Sequence, residues 1–328
     1  MTVPLVERFR ERLPVSSATP VVTLGEGSTP LVRARRLSER LGAEVWLKWE
    51  GANPTGSFKD RGMTVAVAKA LEDGAAAVVC ASTGNTSASA AAYAARAGLP
   101  ALVLLPAGGV ALGKVAQARA AGAVLLQVEG SFDEALAAAR ELDVRGTHAL
   151  VNSLNPYRLE GQKTAAFELA EELGGPPDVL ALPYGGGGNS AAYARGFREA
   201  GEGLPRFLLG EAADRGGTAA SAIRIGAPVH REAVEAALAE SGGSAVALPD
   251  EEILAAWKLL AGEEGLFAEP SSAAGVAALL RERPPAGSRV VCVVTGHGLK
   301  DPDAVDRAFP PPRSVAPDPD AIAAAAVA

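Results

Sequence analysis

Asn53-Pro54-Thr55-Gly56-Ser57-Phe58-Lys59-Asp60-Arg61-Gly62 sets a lysine just inside a helix, behind a turn that fixes where it points. Pro54 and Gly56 punctuate the turn and Ser57 is placed to cap the helix. Residues 63–70 then carry the apolar spacing of a buried helix that closes at Gly74. Lys59 falls in the first helical turn, the unfavourable end for a cation, where the partial positive charge of the macrodipole disfavours an ammonium and lowers its pKa. A lysine so placed is either a surface residue on an amphipathic helix or a group set there for chemistry.

Outward from this segment, short apolar runs alternate with helical patterns of similar length. Residues 76–81, 101–105, 124–128, 149–151, 179–182, 207–209 and 290–294 read as strands. Helical spacing covers 86–96, 112–121, 132–142, 159–173, 190–200, 251–261 and 272–280. Continuous apolar strands separated by helices predict an α/β fold with a parallel sheet covered on both faces. A chain of 328 residues can form two domains or one large one. No long Gly/Ser/Pro linker separates the halves, so two domains would be closely joined. The tail after Pro310 is rich in Pro and Ala and is expected to be disordered.

Composition narrows the partners. With 48% hydrophobic and 21% charged residues the chain is an ordinary globular protein, and its net charge of -7 argues against nucleic-acid or anionic-membrane surfaces. A local basic pocket for a small anion remains compatible with that charge, so the expected ligand is a small molecule. Residues 1–8 lack the apolar core of a signal peptide and no apolar run approaches a membrane span, which points to the cytoplasm. Cys80 and Cys292 lie inside apolar strand-like runs and read as buried packing. His148, His230 and His297 show no metal-ligand spacing, so no metal is expected.

In an open parallel sheet, ligands bind at the loops beyond the carboxyl ends of the strands. Ser82-Thr83-Gly84-Asn85-Thr86-Ser87 offers hydroxyls, an amide and helix N-terminal N–H groups suited to a carboxylate, although Ser and Thr before a helix are also ordinary caps. Pro183-Tyr184-Gly185-Gly186-Gly187-Gly188-Asn189 opens another helix, and its glycines let the backbone close around a phosphate; the plainer reading is a flexible strand-to-helix turn. No Gly-Lys-Ser/Thr follows, so a nucleoside triphosphate is a poor fit. Thr295-Gly296-His297-Gly298-Leu299-Lys300-Asp301 places a neutral hydroxyl at a strand end. Asn152-Ser153-Leu154-Asn155-Pro156-Tyr157-Arg158 combines hydroxyl, amide and guanidinium before a long helix, either as an anion site or as an Asx-type turn beside a solvated arginine.

A lysine at a helix start, a glycine-rich phosphate cradle, an asparagine in a carboxylate-type loop and a strand-end hydroxyl together point to pyridoxal 5'-phosphate. The chain resembles the fold type II, tryptophan-synthase-β-like enzymes that use this cofactor, from Gly25-Glu26-Gly27-Ser28-Thr29-Pro30-Leu31 through the Thr-Gly-His-Gly-Leu-Lys-Asp segment. Three narrower segments resemble the threonine synthase family within that group: P-A-G-G-V-A-L-G-K-V-A-Q from Pro106, V-N-S-L-N-P-Y-R-L-E-G-Q-K-T from Val151, and A-I-R-I-G from Ala222.

The resemblance implies two open, mostly parallel twisted sheets flanked by helices, with the active site in the cleft between domains. It assigns 1–50 with 151–310 to a large cofactor-binding domain, 51–150 to a small domain and 311–328 to a disordered tail, and it implies a homodimer. The implied activity converts O-phospho-L-homoserine and water into L-threonine and phosphate. Lys59 would be the catalytic Schiff-base lysine, Asn85 would contact the cofactor's ring oxygen, Gly185, Gly186, Gly187, Gly188 and Asn189 would hold its phosphate, and Thr295 would face the pyridine nitrogen. Thr83 and Thr86 would take the substrate carboxylate or its phosphate, and Ser153 and Arg158, with Asn152 and Lys114, would take the substrate phosphate.

The chain departs from the family pattern in two places. Gly186 stands where the family has an asparagine, and the stretch between Gly210 and Ile223 is shorter than its counterpart. Two other readings remain open: a β-eliminating threonine or serine dehydratase, and a non-catalytic cofactor-binding regulator. A dehydratase substrate has no phosphate for Ser153 and Arg158 to hold, and the intact Lys59 and Asn85 argue against the regulator.

Overall fold

The computed structural model describes residues 3–107, 115–201 and 203–326. α1 (Leu5–Arg8) leads through a long loop to β1 (Leu31–Arg33), α2 (Arg35–Leu41) and β2 (Glu44–Trp49). α3 (Lys59–Glu72) then carries the chain to β3 (Ala77–Ala81), α4 (Asn85–Ala97), β4 (Ala101–Pro106), α5 (Ala116–Ala120), β5 (Val124–Val128), α6 (Phe132–Val144) and β6 (His148–Leu150). The long α7 (Pro156–Leu173) returns it to β7 (Val179–Pro183), α8 (Gly188–Ala200), β8 (Arg206–Ala212), α9 (Arg231–Ser241), β9 (Ser244–Leu248), α10 (Asp250–Gly262), α11 (Ala274–Glu282) and β10 (Arg289–Val294). α12 (Asp303–Ala308) and α13 (Pro319–Ala326) follow.

The strands form two sheets, ordered β1-β2-β10-β7-β8-β9 and β5-β4-β3-β6. Every described pairing is parallel except that of β1 with β2. The larger sheet shows why its strands read as unbroken apolar runs. Val179, Ala181, Leu208, Val290 and Cys292 point into one core, while Leu180, Leu182, Leu209, Val291 and Val293 point into the core on the opposite face. With both faces covered, a period of two leaves no polar side to see.

β2 escapes the sequence reading because Glu44 and Lys48 interrupt its apolar residues, yet Lys48 is fully buried and paired with Glu168 (3.1 Å) and Glu172 (2.9 Å). In the tail expected to be disordered, 319–326 is helical, in keeping with the high helix propensity of its alanine run. Among the described residues no helix is long and apolar enough to cross a membrane.

Two glycines set the central helix crossing. A Cβ on Gly161 of α7 would stand 1.9 Å from the Arg61 carbonyl oxygen, and one on Gly62 of α3 would stand 2.5 Å from the Arg158 carbonyl oxygen. The two backbones therefore touch where a side chain would hold them apart. Arg61, fully buried, locks the crossing: its guanidinium pairs with Glu50 (2.7 Å) of the turn after β2 and with Glu168 (2.7 Å) of α7, and it also donates to Thr29 (2.9 Å). Burial alone would raise the Glu168 pKa, but the charges of Arg61 and Lys48 override it and hold the carboxyl down at about 2. Two cations and two carboxylates thus neutralise one another inside the protein, and deleting one member would leave a buried charge uncompensated, at a cost of about 3–5 kcal/mol.

Gly161→Ala separates helix propensity from this packing. Propensity alone favours alanine in a helix interior by about 1 kcal/mol, whereas the crossing demands a loss of about 1–3 kcal/mol or more from overpacking. We expect thermal unfolding of Gly161→Ala several degrees below the parent chain. An unchanged or raised midpoint would show that α3 and α7 have slack between them.

Candidate active site

The turn before α3 is fastened to the end of β10. Phe58 N–H donates to Thr295 O (3.0 Å), His297 N–H donates to Gly56 O (2.9 Å), and Ser57 pairs with Gly296 as an isolated antiparallel bridge. This pairing draws Ser57 out of the capping position expected of it. Phe58 stands at the N-cap with no side-chain cap, and the Ser57 hydroxyl is buried without a partner among the described residues. Asp60 does the local work instead, its carboxylate accepting from Thr55 N–H (2.7 Å), the Thr55 hydroxyl (2.6 Å) and the Ser89 hydroxyl (2.6 Å).

Lys59 occupies the first turn of α3 with its Nζ 4.2 Å from the centre of the Phe58 ring. Burial first, and then the charge of the nearby Arg158 guanidinium, push the amine down to about 7 against the opposing pull of Glu269. The helix-end argument from sequence gave the right direction; desolvation is the larger cause. An amine with this pKa is about half neutral at pH 7, and in that form can act as nucleophile or base.

Glu269 is the residue that sequence reading missed. It is nearly fully buried, accepts from Asn85 Nδ2 on both oxygens (3.0 and 3.2 Å), and its carboxylate lies across the bare Cα of Gly296. Burial raises its pKa, opposed by Asn85, Lys300 and Lys59. The signal available was a glutamate directly before Pro270 in an otherwise apolar stretch. Thr295, also buried, shares a hydrogen bond with the hydroxyl of Ser272 (2.9 Å), which in turn accepts from Gly296 N–H (2.9 Å). Lys59, Asn85, Glu269 and Thr295 are therefore brought together from four separate parts of the chain.

The glycine run forms the strand-to-helix turn between β7 and α8. Gly187 is the N-cap at φ +84°, a conformation that favours glycine, and offers no side chain to the first-turn N–H groups. Asn189 Nδ2 and the Ser190 hydroxyl are buried beside them with no partner among the described residues. Donors left open in this way at a helix start fit a phosphate. A Cβ would meet Ile223 Cα at 3.1 Å from Gly185 and Val234 Cγ2 at 2.9 Å from Gly187, but from Gly186 only Ile225 Cδ1 at 3.5 Å. Gly186, where the sequence departs from the family, is thus the position with room for a side chain.

Arg158, in the first turn of α7, is fully buried. One terminal nitrogen donates to Val151 O (2.7 Å), while Nε and Nη2 have no partner among the described residues. Burial lowers its pKa to about 10, so it keeps its charge at neutral pH. Asn152 is turned elsewhere: its amide accepts from Ala81 N–H and donates to Ala81 O, both at 2.9 Å, which ties the loop after β6 to the end of β3. Thr83 sits half-buried in the loop before α4 and Thr86 half-buried in the first turn of that helix, and Ser153 is half-buried in the loop before α7. Lys114 lies outside the described residues. Cys80 and Cys292 are buried, and desolvation raises each thiol to about 12, so they serve as packing.

Residues 22–296 match the family described as pyridoxal-phosphate dependent enzyme. A threonine synthase of Synechocystis sp. is 53% identical over 319 residues, covering 91% of this chain and 84% of that protein. A threonine synthase of Mycobacterium bovis is 50% identical over 339 residues, covering 97% and 94%. The chain belongs to the pyridoxal-phosphate-dependent enzymes, within the threonine synthase family. Among solved structures, cysteine synthase from Entamoeba histolytica superimposes with a TM-score of 0.77 at 20% identity, covering 92% of this chain and 96% of that one, a likeness of fold.

The depressed pKa of Lys59 carries a stability consequence. Its folded value of about 7 lies below the ordinary 10.5, so the folded state resists protonation. The destabilisation is complete below pH 7 and disappears as pH rises through 10.5. Without cofactor, Lys59→Met should melt above the parent chain at pH 6–7, and the gap should close toward pH 10. A pH-independent gap would mean that the amine is not held neutral by its surroundings.

Proposed function

We propose that this protein is a threonine synthase, converting O-phospho-L-homoserine and water into L-threonine and phosphate with pyridoxal 5'-phosphate. The observation that carries the reading is the buried, charged Arg158, whose Nε and Nη2 lack partners among the described residues, near a Lys59 amine of lowered pKa, together with the open donors at the glycine-lined start of α8. The residues fit the cofactor: the open donors of 185–189 match its phosphate, Asn85 Nδ2 its phenolic oxygen, Thr295 its ring nitrogen and Lys59 its aldehyde. When bound, pyridoxal 5'-phosphate supplies an aldehyde that combines with amines and a conjugated ring that spreads the charge left when a proton departs.

Lys59 does the proton work. With substrate bound, its Nζ would take the proton from Cα and a second from Cβ as phosphate leaves, then return one at Cγ and, once water has added its hydroxyl at Cβ and given its proton to phosphate, return the other at Cα. One flexible amine serves several carbons, so positioning outweighs raw basicity. Arg158 serves twice, pairing with the substrate phosphate through Nε and Nη2 and helping to keep Lys59 neutral. Ser153 adds a hydroxyl to the phosphate site, Lys114 is proposed as a further phosphate ligand, and Thr83 and Thr86 receive the substrate carboxylate or its phosphate. Asn152, with its amide committed to Ala81, shapes this site through the backbone of its loop. A neutral Thr295 leaves the ring nitrogen free of any forced protonation. The proposal includes a cytoplasmic homodimer, with 1–50 and 151–310 forming the cofactor-binding domain and 51–150 the smaller one.

Incubation with O-phospho-L-homoserine should release phosphate and threonine in equal amounts. Phosphate without threonine would overturn the addition half of the reaction. The purified protein should absorb visible light as a yellow holoenzyme, and Lys59→Ala should lose both the band and turnover; a parent chain that stays colourless with added pyridoxal 5'-phosphate would contradict the cofactor assignment. Arg158→Met, which keeps bulk and removes charge, should raise KM for the phosphorylated substrate about 10- to 100-fold, the range of a lost charged hydrogen bond, while cofactor affinity changes little. Equal damage to both would remove Arg158 from the substrate phosphate site. Inorganic phosphate should compete with substrate; absence of competition would favour a dehydratase.

A further inference from the structure

His230 stands between the two phosphate loops. Its backbone N–H donates to Gly186 O (3.0 Å), and its ring Nε2 bonds Ser153 O at 2.9 Å, 77 residues away in the chain. A carbonyl can only accept, so Nε2 carries the proton. The ring lies along the bare glycine loop: a Cβ on Gly188 would meet His230 Cδ2 at 3.3 Å and Nε2 at 3.5 Å, and one on Gly187 would meet His230 Cβ at 3.3 Å. His230 is also the N-cap of α9, yet its side chain makes no cap hydrogen bond, so local capping does not explain a polar ring there.

Ser153 is thereby held from two sides. Asn152 fastens the loop to the backbone of Ala81, and His230 fastens it to the glycine run. We propose that His230 is a positioning residue that ties the substrate-phosphate loop to the cofactor-phosphate loop, so that Ser153 and Arg158 are set at a fixed separation from the cofactor. This rests on the proposed function above.

His230→Phe keeps the bulk of the ring and removes its donor; His230→Gln restores an N–H near the position of Nε2. Loss of one ordinary hydrogen bond corresponds to about a 3- to 10-fold effect. We expect His230→Phe to raise KM for O-phospho-L-homoserine and the inhibition constant of inorganic phosphate together by about that factor, with kcat within about twofold. His230→Gln should return both constants to within about twofold of the parent chain. The phosphate constant can also be read without turnover, as a shift of the visible band of the holoenzyme on titration with inorganic phosphate. Should His230→Phe fail to fold, His230→Ala, which creates no clash, enters the same comparison.

His230→Phe with parental constants would overturn the proposal, as would a glutamine variant no better than phenylalanine. Equal loss of kcat in the phenylalanine and glutamine variants would also overturn it, by showing a packing role. A parent chain inactive on O-phospho-L-homoserine would instead refute the proposed function, with the phosphate titration still reading the His230 tie.

Discussion

The crossing of α3 and α7 at Gly62 and Gly161 is the constraint on which the site depends. Each glycine lies three residues after a basic residue, Gly62 after Lys59 and Gly161 after Arg158, so the close approach that joins the helices also brings these two residues near one another. Their proximity is visible in the electrostatics, because Arg158 is the second cause of the low Lys59 pKa. Side chains at the two glycines would widen the crossing and separate the charges, weakening the substrate-phosphate site and the neutral amine together.

The charge of Arg158 disfavours a second cation at Lys59, and a neighbouring ion network holds the helix that carries the amine. Arg61, between Lys59 and the crossing, is held by Glu50 and Glu168, and Glu168 is shared with Lys48 of the larger sheet. That network carries no chemistry of its own, and its effect is to fix the direction in which α3 begins. The second fixture is the pairing of residues 56–58 with 295–297, which brings the strand-end Thr295 beside Lys59. A helix held at its first turn by backbone bridges and along its next by ion pairs leaves its lysine little choice of direction.

Much of this was legible in the sequence, and the failures share a cause. The parallel strands and their helices emerged because doubly covered strands are continuous apolar runs, and the lysine turn, the glycine run and the loops after β3, β6, β7 and β10 emerged because ligand loops follow strand ends. What stayed hidden depended on tertiary partners. Lys48 reads as an exposed residue until Glu168 is placed beside it. Ser57 reads as a cap until Gly296 pairs with its backbone. Glu269 and His230 carry meaning only once Asn85 and Ser153, each far away in the chain, are known to face them.

The central claim is that this fold singles out one lysine, Lys59, to carry the cofactor. Reduction of the holoenzyme with borohydride, followed by proteolysis and mass spectrometry, fixes the cofactor to whichever lysine holds it. A single modified peptide is expected, the one containing Phe58, Lys59 and Asp60. A modification spread over several lysines, or placed on Lys300 or Lys163 with Lys59 untouched, would contradict it.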